Sequence, residues 1–275
     1  MASHDPHLTL SRPSSASSIF IAQDTPPTPT TTKKFQVPDP SSLSVCKGPS
    51  TAAPSSCYDF KDTVVVCVED NKKRKEYTLL RRLLVWHSSY FAAALDPEGG
   101  WSQDKQQLLN LECSHSTFEV FCCWIHTNRL KDPVTDMERV KDIYLSTRSL
   151  LDVWVFADFR GIPALGNAAI DMLHEKIMAK SAVHANIVKM TYEKTAVGSR
   201  FRAYLIHLYK YTAMLSDMVA HPNLYTAEFL CEVLPFLSHR TDVEFRGIAG
   251  LLKVDRCQWH DHSGPGGKLR LEGRK

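Results

Sequence analysis

Apolar and polar positions alternate in blocks that predict a small sheet at the start of the patterned part of the chain. Residues 64–68 are β-branched and apolar almost throughout, which predicts a strand buried on both faces or nearly so. The charged run at residues 69–75 predicts a turn, and residues 76–79 predict the second strand of a hairpin. Residues 106–111 alternate enough to predict a third strand.

Helical periodicity begins directly after the predicted hairpin. Residues 81–86 and 88–95 predict two short helices, with Ser88 or Ser89 as the N-cap of the second. A third helix is predicted by apolar residues that share one face, namely Phe118, Phe121, Cys122 and Ile125. The spacing of Ser116 and Glu119 is that of a capping box, so we expect this helix to begin there.

The second half of the chain carries only helical patterns. Residues 150–155 have helical spacing, Gly161 fits the position just past that helix, and Pro163 fits the first turn of the next one. Asp158 falls on an apolar helix face, where a buried carboxylate would need a hydrogen-bonding partner. Beyond residue 180 there are two further apolar stripes, Phe201, Tyr204, Leu205, Leu208 and Tyr209, and then Phe229, Leu230, Val233, Leu234 and Leu237.

Composition divides the chain into four segments. Residues 1–57 are rich in Ser, Thr and Pro and predict a disordered tail, because such a composition buries too little apolar area to offset the entropy of ordering. Residues 58–180 carry the mixed strand and helix pattern, and residues 181–256 form an all-helical extension. Residues 257–275 predict a flexible polar tail.

Charge and apolar content narrow the class of protein. The formal net charge of +3 is too small to indicate nucleic-acid binding without a concentrated patch. No apolar run is long enough to span a membrane, and the N-terminus lacks the pattern of a signal peptide. The sequence therefore predicts an intracellular protein, cytoplasmic or nuclear, whose eight cysteines are reduced thiols.

Three stretches of the chain, in this order, resemble a known family. They are Tyr90-Phe-Ala-Ala-Ala-Leu95, Trp124-Ile-His-Thr-Asn-Arg-Leu130, and the block from Ala157-Asp158 to Ala164-Leu165. Together with the hairpin they resemble the BTB (POZ) domain, in the form common in filamentous fungi. The resemblance implies an α+β fold with a small three-stranded sheet on a helical cluster. It also implies a non-enzymatic protein-interaction module with no cofactor and no catalytic residues.

The resemblance also suggests where partners bind. Phe118, Glu119, Val120, Phe121 and Leu130 are the expected partner-binding residues, together with the loop that follows as far as residue 146. Some BTB proteins act as substrate adaptors that recruit a cullin scaffold, a use associated with an apolar-x-Glu pattern. Val120 stands in the Glu position here, so a scaffold role is favoured over the adaptor role. A homodimer is compatible with the family, although no strand is recognisable before Asp62.

Two clusters have a chemical alternative. Cys257, His260 and His262 are three zinc-type ligands within six residues, and a fourth could come from Cys231 or His239. Because the set is incomplete, a polar tail without metal is favoured over a zinc-bearing module. The basic run at residues 72–75 could contact nucleic acid, but its place between two strands favours a solvated hairpin tip.

Overall fold

The three predicted strands form one mixed sheet in the order β2–β1–β3. Strand β1 (Thr63–Asp70) pairs antiparallel with β2 (Lys73–Leu80) and parallel with β3 (Leu108–Glu112). Val64, Val66 and Val68 of β1 are buried, as expected for the central strand. The computed structural model describes residues 52–96, 108–130, 145–180, 183, 186–213, 215–238 and 254–264.

The hairpin between β1 and β2 is tighter than its charged sequence suggests. Asp70 pairs with Lys73, so only Asn71 and Lys72 form the turn. Both have positive φ, 50° and 67°, which is the geometry of a two-residue turn that matches the twist of the strands. The rest of the basic run is exposed, as predicted, but it lies on β2 and not in the turn.

Helices make up most of the remaining described chain, and the α+β class is confirmed. None of the helices in the described ranges is both long enough and apolar enough to cross a membrane. Within those ranges the helices are α1 (Arg81–His87), α2 (Ser89–Ala94), α3 (His115–Thr127), α4 (Thr147–Phe159), α5 (Pro163–Lys180), α6 (Asn186–Lys194), α7 (Arg200–Thr212), α8 (Leu215–Ala220) and α9 (Ala227–Ser238).

Most of the predicted helix ends are confirmed. The Ser88 side chain caps α2 by accepting a hydrogen bond from the Phe91 backbone N–H. Gly161 follows α4 with φ +58°, and α5 begins at Pro163. The capping box of α3 was predicted wrongly: the N-cap is Ser114, whose hydroxyl accepts from the Thr117 N–H, and Ser116 lies inside the first turn. Two adjacent Ser-containing frames compete at this helix start, and periodicity cannot choose between them.

One apolar core runs through the sheet, the central helices and the helical extension. Phe118 and Phe121 of α3 contact Phe156 of α4, with ring centroids 6.1 and 5.3 Å apart. Trp154 of α4 contacts Phe201 of α7 at 5.4 Å, across the boundary predicted at residue 180. The helices after residue 180 therefore share a core with the segment before it.

The two predicted tails are partly packed. Residues 1–51 lie outside the described residues, but Ser55–Cys57 forms a 3-10 turn and Cys57 is buried beside α1. Near the other end, Arg256–Trp259 forms a second 3-10 turn in which Trp259 is only 3% exposed. Residues 257–264 therefore differ from the flexible tail that was predicted. The prediction rested on the polar composition of the segment and did not consider that one buried aromatic side chain, Trp259, could anchor it.

Candidate functional site

Four of the five predicted partner-binding residues lie in the core. Phe118 and Phe121 are fully buried, and Val120 and Leu130 are less than a tenth exposed. Helix α3 is covered by the sheet on one side and by α1 and α4 on other sides. Val120, which precedes Phe121 on a different face of the helix, is therefore enclosed as well. A partner cannot touch these four side chains in this conformation, which corrects the prediction. The loop at residues 131–144 lies outside the described residues.

Glu119, the fifth predicted residue, is held by the neighbouring strand. Its carboxylate accepts hydrogen bonds from Lys75 Nζ at 2.6 Å and from the Tyr77 hydroxyl at 3.2 Å. The hydrogen bond from Lys75 lowers the pKa of Glu119 below its usual value. Burial, and then the Glu119 charge, raise the pKa of Tyr77 to about 12. Glu119 thus ties α3 to β2 rather than capping its own helix.

A groove of 550 Å³ opens where α4 ends and α5 begins. It lies between the start of α2, the α4–α5 turn, the residues before α7 and the C-terminal segment. Four separate stretches of sequence contribute to it, so no local pattern indicates it. Among its lining residues are Ser89, Asp158, Gly161 and Pro163, which the sequence had singled out for structural reasons.

An exposed aromatic ring marks one rim of the groove. Phe159 is 75% exposed, and among the phenylalanines in the described ranges only Phe60, at 78%, is more exposed. The guanidinium of Arg160 lies 4.9 Å from the Phe159 ring and 4.3 Å from the Tyr90 ring. Arg160 itself is buried, so the cation is held between the two rings in a fixed position.

The opposite wall is built by the C-terminal segment. Asn167 of α5 donates to the Asp261 carbonyl oxygen at 3.0 Å and accepts from the Asp261 N–H at 2.8 Å. Arg200 donates to the carbonyl oxygen of His260. These bonds to main-chain atoms fix the segment against α5 and α7, and Trp259 fills the space beneath it.

Two carboxylates give the groove a partly acidic character. Asp158 is exposed at the groove, not buried on an apolar face, which corrects the sequence-based expectation for it. Partial desolvation, and then repulsion from Asp261, raise the pKa of the Asp158 carboxyl above its usual value. A cation or an N–H donor placed here would relieve that repulsion. Arg200 supplies positive charge on the same side of the groove.

The three zinc-type ligands of the C-terminal segment are brought together. One ligand atom from each of Cys257, His260 and His262 lies within 4.8 Å of the others. His260 is buried, and its Nε2 lies 3.1 Å from Asp171 Oδ1 on α5. Cys231 and His239 had been named as sources of a fourth ligand. Cys231 is exposed on α9 and is not in the cluster, and residue 239 lies outside the described residues.

Comparison with known proteins adds no name to these sites. No protein-family model matches the chain. A search of curated proteins also finds no matching relative. The functional argument therefore rests on the geometry of the groove and of the ligand cluster.

Proposed function

We propose that the chain is a non-enzymatic protein-interaction module of BTB type, a scaffold or adaptor, and that the groove between α4 and α5 receives a segment of the partner protein. A small mixed sheet joined to a helical cluster is compatible with that fold type. The described helices after residue 180 are compatible with the all-helical extension that the sequence pattern predicts.

The exposure of Phe159 is the observation that carries the proposal. An aromatic side chain at the rim of a polar groove combines a large apolar area with nearby hydrogen-bonding groups, as protein-binding hot spots do. The Arg160 guanidinium, which also contacts Tyr90, lies 4.9 Å from the ring and so adds a fixed cation beside it. The groove is lined by two carboxylates, two guanidinium groups and the Asn167 amide, which suit a segment that offers both hydrogen-bond donors and acceptors.

The groove proposal is tested with a matched pair of surface variants of the full chain. Phe159 and Val219 are exposed to the same degree, 75% and 78%, but only Phe159 lines the groove. Affinity capture with the wild type, Phe159→Ser and Val219→Ser should recover specific partners that only Phe159→Ser loses, by at least about tenfold. Equal recovery by all three proteins would overturn the groove as the docking site.

The adaptor alternative makes a separate demand. It requires association with a cullin. Val120 is buried and stands where the family pattern has a glutamate, so a cullin would have to contact another surface of this chain. Light scattering of the full chain with a cullin amino-terminal domain measures this association directly. A complex would specify the adaptor role, and two separate species would leave the scaffold role.

A further inference from the structure

The C-terminal segment carries a set of side chains that the proposed interaction function does not use. Cys257, His260 and His262 belong to a short stretch that turns through Arg256–Trp259 and then becomes extended at His260, with φ −84° and ψ 144°. Histidines two residues apart project the same way only in extended backbone. The 3-10 turn before them brings Cys257 back toward the pair, which is how three ligand atoms come within 4.8 Å.

We propose that Cys257, His260 and His262 form a binding site for a borderline-soft divalent cation, with Zn²⁺ as the expected ion. Thiolate and imidazole are the donors that zinc prefers, whereas magnesium and calcium prefer oxygen. In a tetrahedral site the ligand atoms lie about 3.5 Å apart, given zinc-to-ligand distances of about 2.0–2.3 Å. Rotation of the exposed His262 and the partly buried Cys257 side chains closes the remaining distance.

A carboxylate beside His260 is a second observation that supports the proposal, apart from the chemistry of the three ligands themselves. Asp171 on α5 lies 3.1 Å from His260 Nε2, and a proton on this nitrogen leaves Nδ1 as the nitrogen that offers a lone pair. A carboxylate behind a ligating histidine orients the ring and raises its basicity in many zinc sites. Arg256 lies 2.8 Å from the same carboxylate oxygen and near Glu175, so its charge is offset by two acidic groups.

The coordination would be three protein ligands plus one exchangeable position. Among the described residues only these three side chains form the cluster, and zinc takes four ligands, so solvent or an incoming group would complete the shell. The bound ion would fasten the segment that carries Trp259 and Asp261, and this segment forms one wall of the groove.

Metal content of the purified full chain tests the site. Zinc measured by mass spectrometry should be near stoichiometric in the wild type and lost from Cys257→Ser and from His262→Ala. Both side chains lie at or near the surface, so these substitutions should not unfold the protein. Two control variants, Cys231→Ser and His221→Ala, each remove an exposed thiol or imidazole from outside the cluster, and they should retain the metal.

Substitution with Co²⁺ gives a spectroscopic readout of the ligands. Apo protein titrated with Co²⁺ should develop a thiolate-to-cobalt charge-transfer band and visible bands of tetrahedral intensity, both absent from Cys257→Ser. Metal-free wild-type protein that develops no such band would overturn the proposal. So would zinc that persists in Cys257→Ser and His262→Ala at the wild-type level. Neither outcome depends on whether the groove binds a partner.

Discussion

Ser88 Oγ donates a 2.6 Å hydrogen bond to the carbonyl oxygen of Arg160, a residue 72 positions later in the chain. Ser88 Oγ also caps α2 by accepting a hydrogen bond from the Phe91 N–H. A single buried hydroxyl therefore fixes both the start of α2 and the end of α4. Next to it, the Ser89 N–H donates to the Gly161 carbonyl oxygen at 3.1 Å. The floor of the groove is therefore a junction between two turns that are distant in sequence.

Gly161 should be intolerant of any side chain. It has φ +58°, and a Cβ at this position would collide with Ser89 Oγ. Gly161→Ala should lower the free energy of unfolding by about 1–3 kcal/mol, since a left-handed alanine costs about 1–2 kcal/mol and the Ser89 hydroxyl must also turn away from the new methyl group. Chemical denaturation followed by circular dichroism measures the change.

Gly198 provides the control for the Gly161 experiment. It has φ +76°, but no atom lies within 4 Å of its hypothetical Cβ among the described residues. Gly198→Ala should therefore cost only the backbone term, about 1–2 kcal/mol. Equal losses for the two variants would mean that the contact with Ser89 relaxes at no cost.

The cap of α3 gives a second matched pair of substitutions. Ser114 accepts from the Thr117 N–H at 3.1 Å, whereas Ser116 is exposed within the first turn. Ser114→Ala should lower the free energy of unfolding by about 1 kcal/mol, because the Thr117 N–H at the helix start loses its hydrogen-bond acceptor. Ser116→Ala should be neutral or slightly stabilising, since alanine has the higher helix propensity. Thermal melts of both variants decide between the observed cap and the one that the sequence suggested.

The sequence predicted elements well where a local signal was strong. The run of β-branched residues in β1, the glycine after α4 and the proline that begins α5 each reflect a backbone preference that acts within a few residues. The class α+β follows from these elements and is confirmed. Exact ends were less certain where two polar residues could serve equally well, as at Ser114 and Ser116.

The candidate sites could not be predicted in the same way. Phe118, Val120 and Phe121 were expected to bind a partner because of the family resemblance, but tertiary packing covers α3 on several sides. The groove brings together residues from four segments, and its exposed aromatic, Phe159, has the same sequence pattern as a core residue. The ligand cluster was visible in sequence, but the hydrogen bond that Asp171 accepts from His260 was not.

Acid should destabilise the protein through a buried histidine. His87 is 1% exposed and packs against the edge of Trp124, and burial lowers its pKa from 6.5 to about 4. The unfolded chain therefore binds a proton at a pH where the folded chain does not, so stability rises with pH between about 4 and 6.5 and is lost as pH falls through that window. The loss of unfolding free energy that His87 alone causes is about 3 kcal/mol. His207, whose pKa is lowered to about 4 by burial and by Lys210, adds a further loss of stability on acidification.

Denaturant unfolding at pH 7 and at pH 4.5 measures this loss. The difference in unfolding free energy between the two pH values should be smaller in His87→Leu than in the wild type, while the exposed control His221→Gln should keep the full difference. An unchanged pH dependence in His87→Leu would show that His87 is not the group that titrates.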